Sequence, residues 1–464
     1  MTPITMSTAR SSSVARSHTD FLLILLTGAV VTAVLALSLP YGFQYRLTAE
    51  TLPIVMTSAA LVLLAALGTA GWAISRLSTQ SVPKHDDPLQ RPALIYLLPL
   101  GFVVISAYFS SAVFPGGPVA STAIGVLLLL VVGVLPPLRK QAMPLTLLAM
   151  LLVQSWIGIA TPNDPKAANM LPVVQMACDV VAQGGNPYLV TYDKAGASGS
   201  THYLPALIAP YCPFEWLAVD VRWLNVAVLA GLVLVLYVLA RGARRNYIAA
   251  ALVAMVLSSP FFAQMMAHGH ILIYFMMALL LPLAVIGQRY LLAAVIAGGM
   301  VATYQLAVFL VIPIAVWTLA NRTLTKRFLA AGLAGAVAVV LLSPAYFAVP
   351  EFVARFFTGL PGATAQFMQN TRVPFEQVAL SDLLLRVLPP KTLTLLQLAT
   401  LAVVCVAILR QRISPTGLFV LTGFTYCMII ALNPMASRYF YIPGLLFIFA
   451  ALAVKSDPYA ETPT

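Results

Sequence analysis

The chain is built from apolar runs of about 20 residues that recur from Phe21 almost to its end, and hardly an ionisable residue interrupts them. A run of that length with no charge at its middle satisfies its backbone hydrogen bonds within one helix and covers the hydrocarbon of a bilayer. Composition points the same way: 61% of the 464 residues are hydrophobic and 9% are charged, where water-soluble domains carry roughly 25% charged residues. A soluble enzyme, a nucleic-acid-binding protein and a disordered scaffold are excluded on that ground. The net charge of +12 is therefore read as the Lys and Arg excess of cytoplasmic loops, with no nucleic-acid partner. The expected fold class is an all-α polytopic membrane protein.

Spans are expected at 21–39, 53–75, 93–113, 118–137, 143–160, 223–240, 247–266, 270–287, 328–347, 393–409, 415–433 and 439–454. Tyr304 and Gln305 divide the long apolar stretch 290–320 into a short hairpin, 290–303 and 305–320. The total is about 14 spans by the length rule. No Ala-x-Ala-like cleavage site follows the first run, which is read as a retained helix and not a signal peptide. The segment 203–219 is apolar but short, with three prolines and Glu215. Laying it along the membrane surface gathers most Lys and Arg on one side, including Arg139, Lys140, Arg241, Arg244, Arg245, Arg322, Lys326, Arg327, Arg410 and Arg412. A crossing there would divide them evenly, so the surface placement is adopted.

Both termini are then cytoplasmic, and two long loops, 161–222 and 348–392, lie on the periplasmic side of a bacterial inner membrane. Residues 1–140 are expected to form an N-terminal module of about 4 spans, and 141–464 the second unit with both loops. No span carries a mid-membrane charge and no inverted repeat is visible, which argues against an ion-coupled transporter. Four cysteines (Cys178, Cys212, Cys405, Cys427) are too few for a disulfide scaffold or a zinc cluster, and no metal is expected.

Chemistry is expected in the first loop. Asp164 stands in Thr-Pro-Asn-Asp-Pro, just past the end of a span, with Lys166 two residues on. A helix over about 167–183 is ended by Gly184-Gly185, then come Asn186-Pro187-Tyr188, a Gly/Ser stretch and Tyr203-Leu204-Pro205. A carboxylate held at the bilayer boundary is partly desolvated, which raises its pKa and suits it to accept a proton from a hydroxyl. The same residue would also cap the helix that follows, and both roles stay open. Asp179, on that helix, is read as structural. Cys178 and Cys212 both lie in the loop, where an oxidising compartment would allow a bridge.

The order of these elements resembles the GT-C glycosyltransferases, most closely the branch with the mycobacterial polyprenyl-phosphomannose-dependent mannosyltransferases (glycosyltransferase family 87). In that branch an Asp after a span is followed by a helix, a G-x-x-P-Y element and a Y-x-P element. Here these are similar to Asp164, Gly184-Gly185-Asn186-Pro187-Tyr188 and Tyr203-Leu204-Pro205. Looser matches are Ser259-Pro260 with Ala267-His268-Gly269-His270, Asn370-Thr371-Arg372 through Arg386, and Asn433-Pro434 to Arg438-Tyr439; the likeness covers about residues 145 to 455. The resemblance implies a GT-C-like helix bundle with interfacial helices in its periplasmic loops. It implies an inverting transfer of mannose or a similar hexose from a polyprenyl-phosphate sugar to a glycolipid or glycan acceptor of the cell envelope. Asp164 would be the general base, and the lipid-linked donor is a substrate, with no further cofactor. His268, His270, Arg372 and Arg438 would hold the donor phosphate, each staying solvated until substrate binds, with Lys166, Tyr188 and Tyr203 beside the substrate. The alternatives are a non-enzymatic lipid or polysaccharide transporter or flippase, and an O-antigen ligase-like or polymerase-like protein.

Overall fold

The computed structural model describes residues 21–37, 51–79, 93–109, 141–162, 170–188, 204–242, 244–269, 271–321, 379–385, 387–411, 413–433, 438–453 and isolated positions between 324 and 335. Among the described residues there are helices, turns and no strand. The helices in chain order are α1 (Phe21–Leu37), α2 (Thr51–Thr79), α3 (Ala93–Phe109), α4 (Ala142–Ala160), α5 (Met170–Ala182), α6 (Pro205–Ile208), α7 (Cys212–Trp216), α8 (Arg222–Ala240) and α9 (Arg244–Leu257). They continue with α10 (Pro260–His268), α11 (Leu272–Ile286), α12 (Tyr290–Thr303), α13 (Val308–Ala320), α14 (Ser381–Leu384), α15 (Pro390–Arg410), α16 (Pro415–Ala431) and α17 (Ile442–Ala450).

Among the described residues, α2, α4, α8 and α15 are long and apolar enough to cross a membrane, and α9 with α10 would make one more crossing, bent by 64°. The remaining long helices are apolar but shorter. The expected spans 118–137 and most of 328–347 lie outside the described residues. The division of 290–320 falls at Tyr304, whose extended backbone separates α12 from a 3-10 turn, Gln305–Ala307, that leads into α13.

The expectation of one uninterrupted span over 247–266 is corrected. Pro260 has no N–H to continue the helical ladder and drives Ser259 into an extended conformation (φ −69°, ψ 150°). So α9 stops at Leu257, and α10 starts afresh from Ser259, whose Oγ accepts the Phe262 N–H at 3.2 Å. The same Ser-Pro device opens α16, where Ser414 Oγ accepts the Gly417 N–H at 3.2 Å and Pro415 occupies the first turn.

One buried apolar core runs from Leu22 to Leu452, so α1, α2 and α3 share it with the rest of the bundle. Helix α2 packs on α16, α3 packs on α4 and α9, and α4 is gripped between α3, α8 and α10. Hydrogen bonds mark the two ends of the bundle. At one, Arg245 Nη2 donates to the Leu77 carbonyl (2.7 Å) and Trp317 Nε1 to the Ile413 carbonyl (2.9 Å). At the other, called the site end below, the last turns of α4 and α10 meet the first turn of α8. There too the Leu380 N–H donates to the Ala431 carbonyl (2.8 Å), and Ser381 Oγ to the Asn433 carbonyl (3.1 Å).

Candidate active site at one end of the bundle

The described part of the first loop forms a small core of its own against the site end. Helix α5 turns Leu171, Val174, Ala177 and Cys178 inward, where they meet Ile208, Tyr211 and Cys212. Helix α5 ends as its Gly pair requires: Gly184 takes a left-handed conformation (φ 73°), its N–H donates to the Val181 carbonyl (3.0 Å), and the Gly185 N–H donates to the Val180 carbonyl (2.9 Å). Asn186 Oδ1 then accepts the Tyr188 N–H (3.0 Å), closing a local turn. Cys178 and Cys212 form a disulfide, which staples α5 to α7, and Trp216 Nε1 donates to the Cys178 carbonyl (3.1 Å). Tyr188 is 3% exposed and belongs to this core, while Asp179 faces outward.

The two stems of the loop are tied by the arginine of one ion pair. Arg222 Nε donates to Asp220 Oδ1 and Oδ2 (2.9 and 3.0 Å), and Nη2 donates to Oδ2 (2.5 Å). Its Nη1 donates to the Gly158 carbonyl (2.9 Å) and to the Thr161 carbonyl, the acceptors that the end of α4 leaves without helical partners. Asp220 Oδ1 also accepts the Arg222 backbone N–H (2.9 Å). Desolvation pushes the Asp220 carboxyl up, but the hydrogen bonds and charge of Arg222 outweigh it and hold the group below its ordinary value. Beside this neck lies an open cavity of about 290 Å³ lined by Gln175, Glu215, Ala218, Val219 and Asp220, in which Gln175 Nε2 donates to Glu215 Oε2 (2.8 Å).

One turn further along α8, the fully buried Asn225 makes three contacts. It accepts the Tyr211 phenol at 2.7 Å and donates to the carbonyls of Gly269 (2.8 Å) and Met266 (3.1 Å). Nearby, the fully buried Gln154 of α4 donates to Ser106 Oγ (3.1 Å) and the Ser259 carbonyl (3.5 Å). Its Oε1 and the Ser258 hydroxyl have no hydrogen-bond partner among the described residues. The break between α9 and α10 thus opens a polar zone inside an apolar bundle. Arg438 enters it from the turn before α17, with its guanidinium 5.5 Å from the Phe261 ring centre. A ladder of rings stands near it: Tyr274 to Tyr304 (5.2 Å), Tyr304 to Phe440 (5.5 Å) and Phe440 to Tyr439 (4.3 Å between centres).

Of the residues expected from the sequence, His268 and Arg438 meet the same short helix: His268 lies in the last turn of α10 and Arg438 over Phe261 in its first. Both are buried, with 9% and 1% exposure, which corrects the expectation that they stay solvated before substrate arrives. The broken span brings protein over them where a straight one would have left a loop end. Tyr188 belongs to the loop's own core instead. Asp164, Lys166, Tyr203, His270 and Arg372 lie outside the described residues. Arg222, Asn225 and Gln154 were missed. Their signals were an Asp-x-Arg just ahead of an apolar run, a single amide within that run and another within the run 143–160. Among the described residues no group of His, Cys, Asp and Glu is arranged to hold a metal. No family model matches this chain, and neither a curated protein nor a solved structure matches it.

Proposed function

We propose that the chain is an inverting glycosyltransferase, moving a hexose such as mannose from a polyprenyl-phosphate carrier to a hydroxyl acceptor at the periplasmic face of a bacterial inner membrane. One observation carries the reading: a stapled, neck-tied loop stands at the same end of an apolar bundle as a buried His and a buried Arg. The Cys178–Cys212 disulfide supports the sidedness, because such bonds persist in oxidising compartments.

In the reaction the acceptor oxygen attacks the anomeric carbon, the bond from that carbon to the phosphate oxygen breaks, and the lipid phosphate leaves. The acceptor proton passes to Asp164, which the sequence sets three residues beyond Thr161. Charge grows on the leaving phosphate as the bond breaks. A guanidinium already withdrawn from water, as Arg438 is, stabilises that charge more than a solvated one would. His268, at the end of α10, is the second donor to the phosphate.

The test compares purified wild type and Asp164→Asn in detergent, following transfer from radiolabelled polyprenyl-phosphate sugars into cell-envelope glycolipid. Transfer by the wild type that disappears in a folded Asp164→Asn protein is the expected result. Transfer that survives the substitution removes Asp164 as base. Lipid scrambling by the same preparation, without transfer, would favour the flippase reading.

A further inference from the structure

A guanidinium in a low-dielectric setting is destabilising unless its N–H groups are all engaged. All three nitrogens of Arg222 find acceptors, by an unusual route. Its Nε and Nη2 take the carboxylate two residues back, and Nη1 reaches more than sixty residues along the chain to the last turn of α4. Neutral side chains, water and 3-10-type bonds can all satisfy a helix end, so a cation is not needed to cap α4. Its distinct effect is geometric, because two carbonyls and a carboxylate converge on one planar fork that cannot slide.

Helix α10 presses on the same turn of α4: a Cβ at Gly158 would sit 3.1 Å from Met266 Cβ and 3.2 Å from the Met266 carbonyl. Three residues after Arg222, on the same end of α8, Asn225 holds that Met266 carbonyl and the Gly269 carbonyl that follows His268. The first turn of α8 therefore makes two attachments, one to the exit of α4 and one to the end of α10.

We infer that Arg222 and Asn225 form a positioning bracket, which fixes the point where the chain leaves α4 toward Asp164 relative to His268 at the end of α10. This rests on the transferase reading above, in which those groups are base and phosphate donor. Neither bracket residue touches substrate. Their role is to keep the exit of α4 and the end of α10 at one separation, and misplacement of a catalytic group by about 1 Å is enough to lower a rate on the order of a hundredfold.

The experiment uses the full chain in detergent, with Arg222→Lys and Asp220→Asn as the variants. Lysine keeps the charge but not the fork, and Asn keeps the shape but not the charge, so either one serves if the other fails to fold. Two quantities are read. The first is kcat against KM for a polyprenyl-phosphate sugar. The second is the distance distribution between spin labels at Pro162→Cys and Leu217→Cys, in a Cys405→Ala background. The expected result is a kcat lowered at least about tenfold in Arg222→Lys, with an unchanged donor KM and a broadened distribution. A raised KM with an unchanged kcat would make Arg222 a binding residue and overturn the bracket. An unchanged kcat with a broadened distribution would overturn it as well, leaving the transferase reading intact. A wild type inert toward every polyprenyl-phosphate sugar would overturn the transferase reading, and with it the bracket's catalytic role.

Discussion

Replacing Asn225 by Leu keeps most of the side chain's volume and strips away three hydrogen bonds at once. Three groups are then left without their partner: the Tyr211 phenol, which had donated at 2.7 Å, and the carbonyls of Gly269 and Met266, which had accepted at 2.8 and 3.1 Å. Each orphaned buried polar group costs about 1–3 kcal/mol, so the substitution should destabilise the fold on the order of 3–9 kcal/mol. Tyr211→Phe alone orphans only one side of one bond, worth about 1–2 kcal/mol. The double variant is the informative one. With the phenol gone, no hydroxyl is left stranded, so Asn225→Leu/Tyr211→Phe should be more stable than Asn225→Leu by about 1–2 kcal/mol. Thermal unfolding in detergent reads this difference as roughly 1 °C for each kcal/mol if all 464 residues unfold together. A double variant that is less stable than Asn225→Leu, by the amount Tyr211→Phe costs alone, would refute the reasoning.

Three further outcomes follow from the geometry. Cys178→Ser/Cys212→Ser opens a loop of 34 residues, worth about 4 kcal/mol by the chain-entropy argument; it should speed protease cleavage between 161 and 222 and leave the rest of the bundle protected. At Gly423 an added Cβ would lie 2.5 Å from the Gly444 carbonyl, whereas at Gly28 it would meet nothing within 4 Å. Gly423→Ala should therefore force α16 and α17 apart and cost about 2–3 kcal/mol, while Gly28→Ala should be neutral or stabilising by about 0.5–1 kcal/mol. Asp220 has a folded-state pKa below its unfolded value, so the stability it contributes is fully present above about pH 4 and disappears as pH falls through the lowered folded value. Spin labels at Pro162→Cys and Leu217→Cys should accordingly hold one narrow distance at pH 5 and broaden only in stronger acid.

The fold was legible wherever a local rule decides structure. Apolar run length gave α4, α8, α15 and α16, and the Gly184-Gly185 pair gave the end of α5. The extended residue Tyr304 fell where a tyrosine and a glutamine interrupt an apolar stretch. The bend at Ser259-Pro260 was also written in the chain, as Pro with its preceding capping Ser, but a hydropathy window averages over two residues and passes through it. What remained hidden was of another kind. Arg222 and Thr161 are 61 residues apart, and Asn225 and Gly269 are 44 apart, so no local pattern joins them. The burial of Arg438 has the same origin: it follows from α10 packing against the turn that carries it.

Breaking one helix in two also changes how much of a bilayer the protein covers. Helices α9, α11 and α12 hold 14, 15 and 14 residues, a rise of about 21–22 Å, whereas the hydrocarbon layer is about 30 Å thick. Helices α4 and α8, with 19 residues each, rise about 28 Å. Helices α9 and α11 are buried in the bundle, so of the three it is α12, with Leu291, Leu292 and Val295 exposed, that would meet lipid; there the bilayer must thin, or the helix ends must stand below its surface. For the lipid-linked donor proposed above, either arrangement would shorten the path from its own leaflet to the site end. Its head would move sideways by a short step while its tail stays in the hydrocarbon.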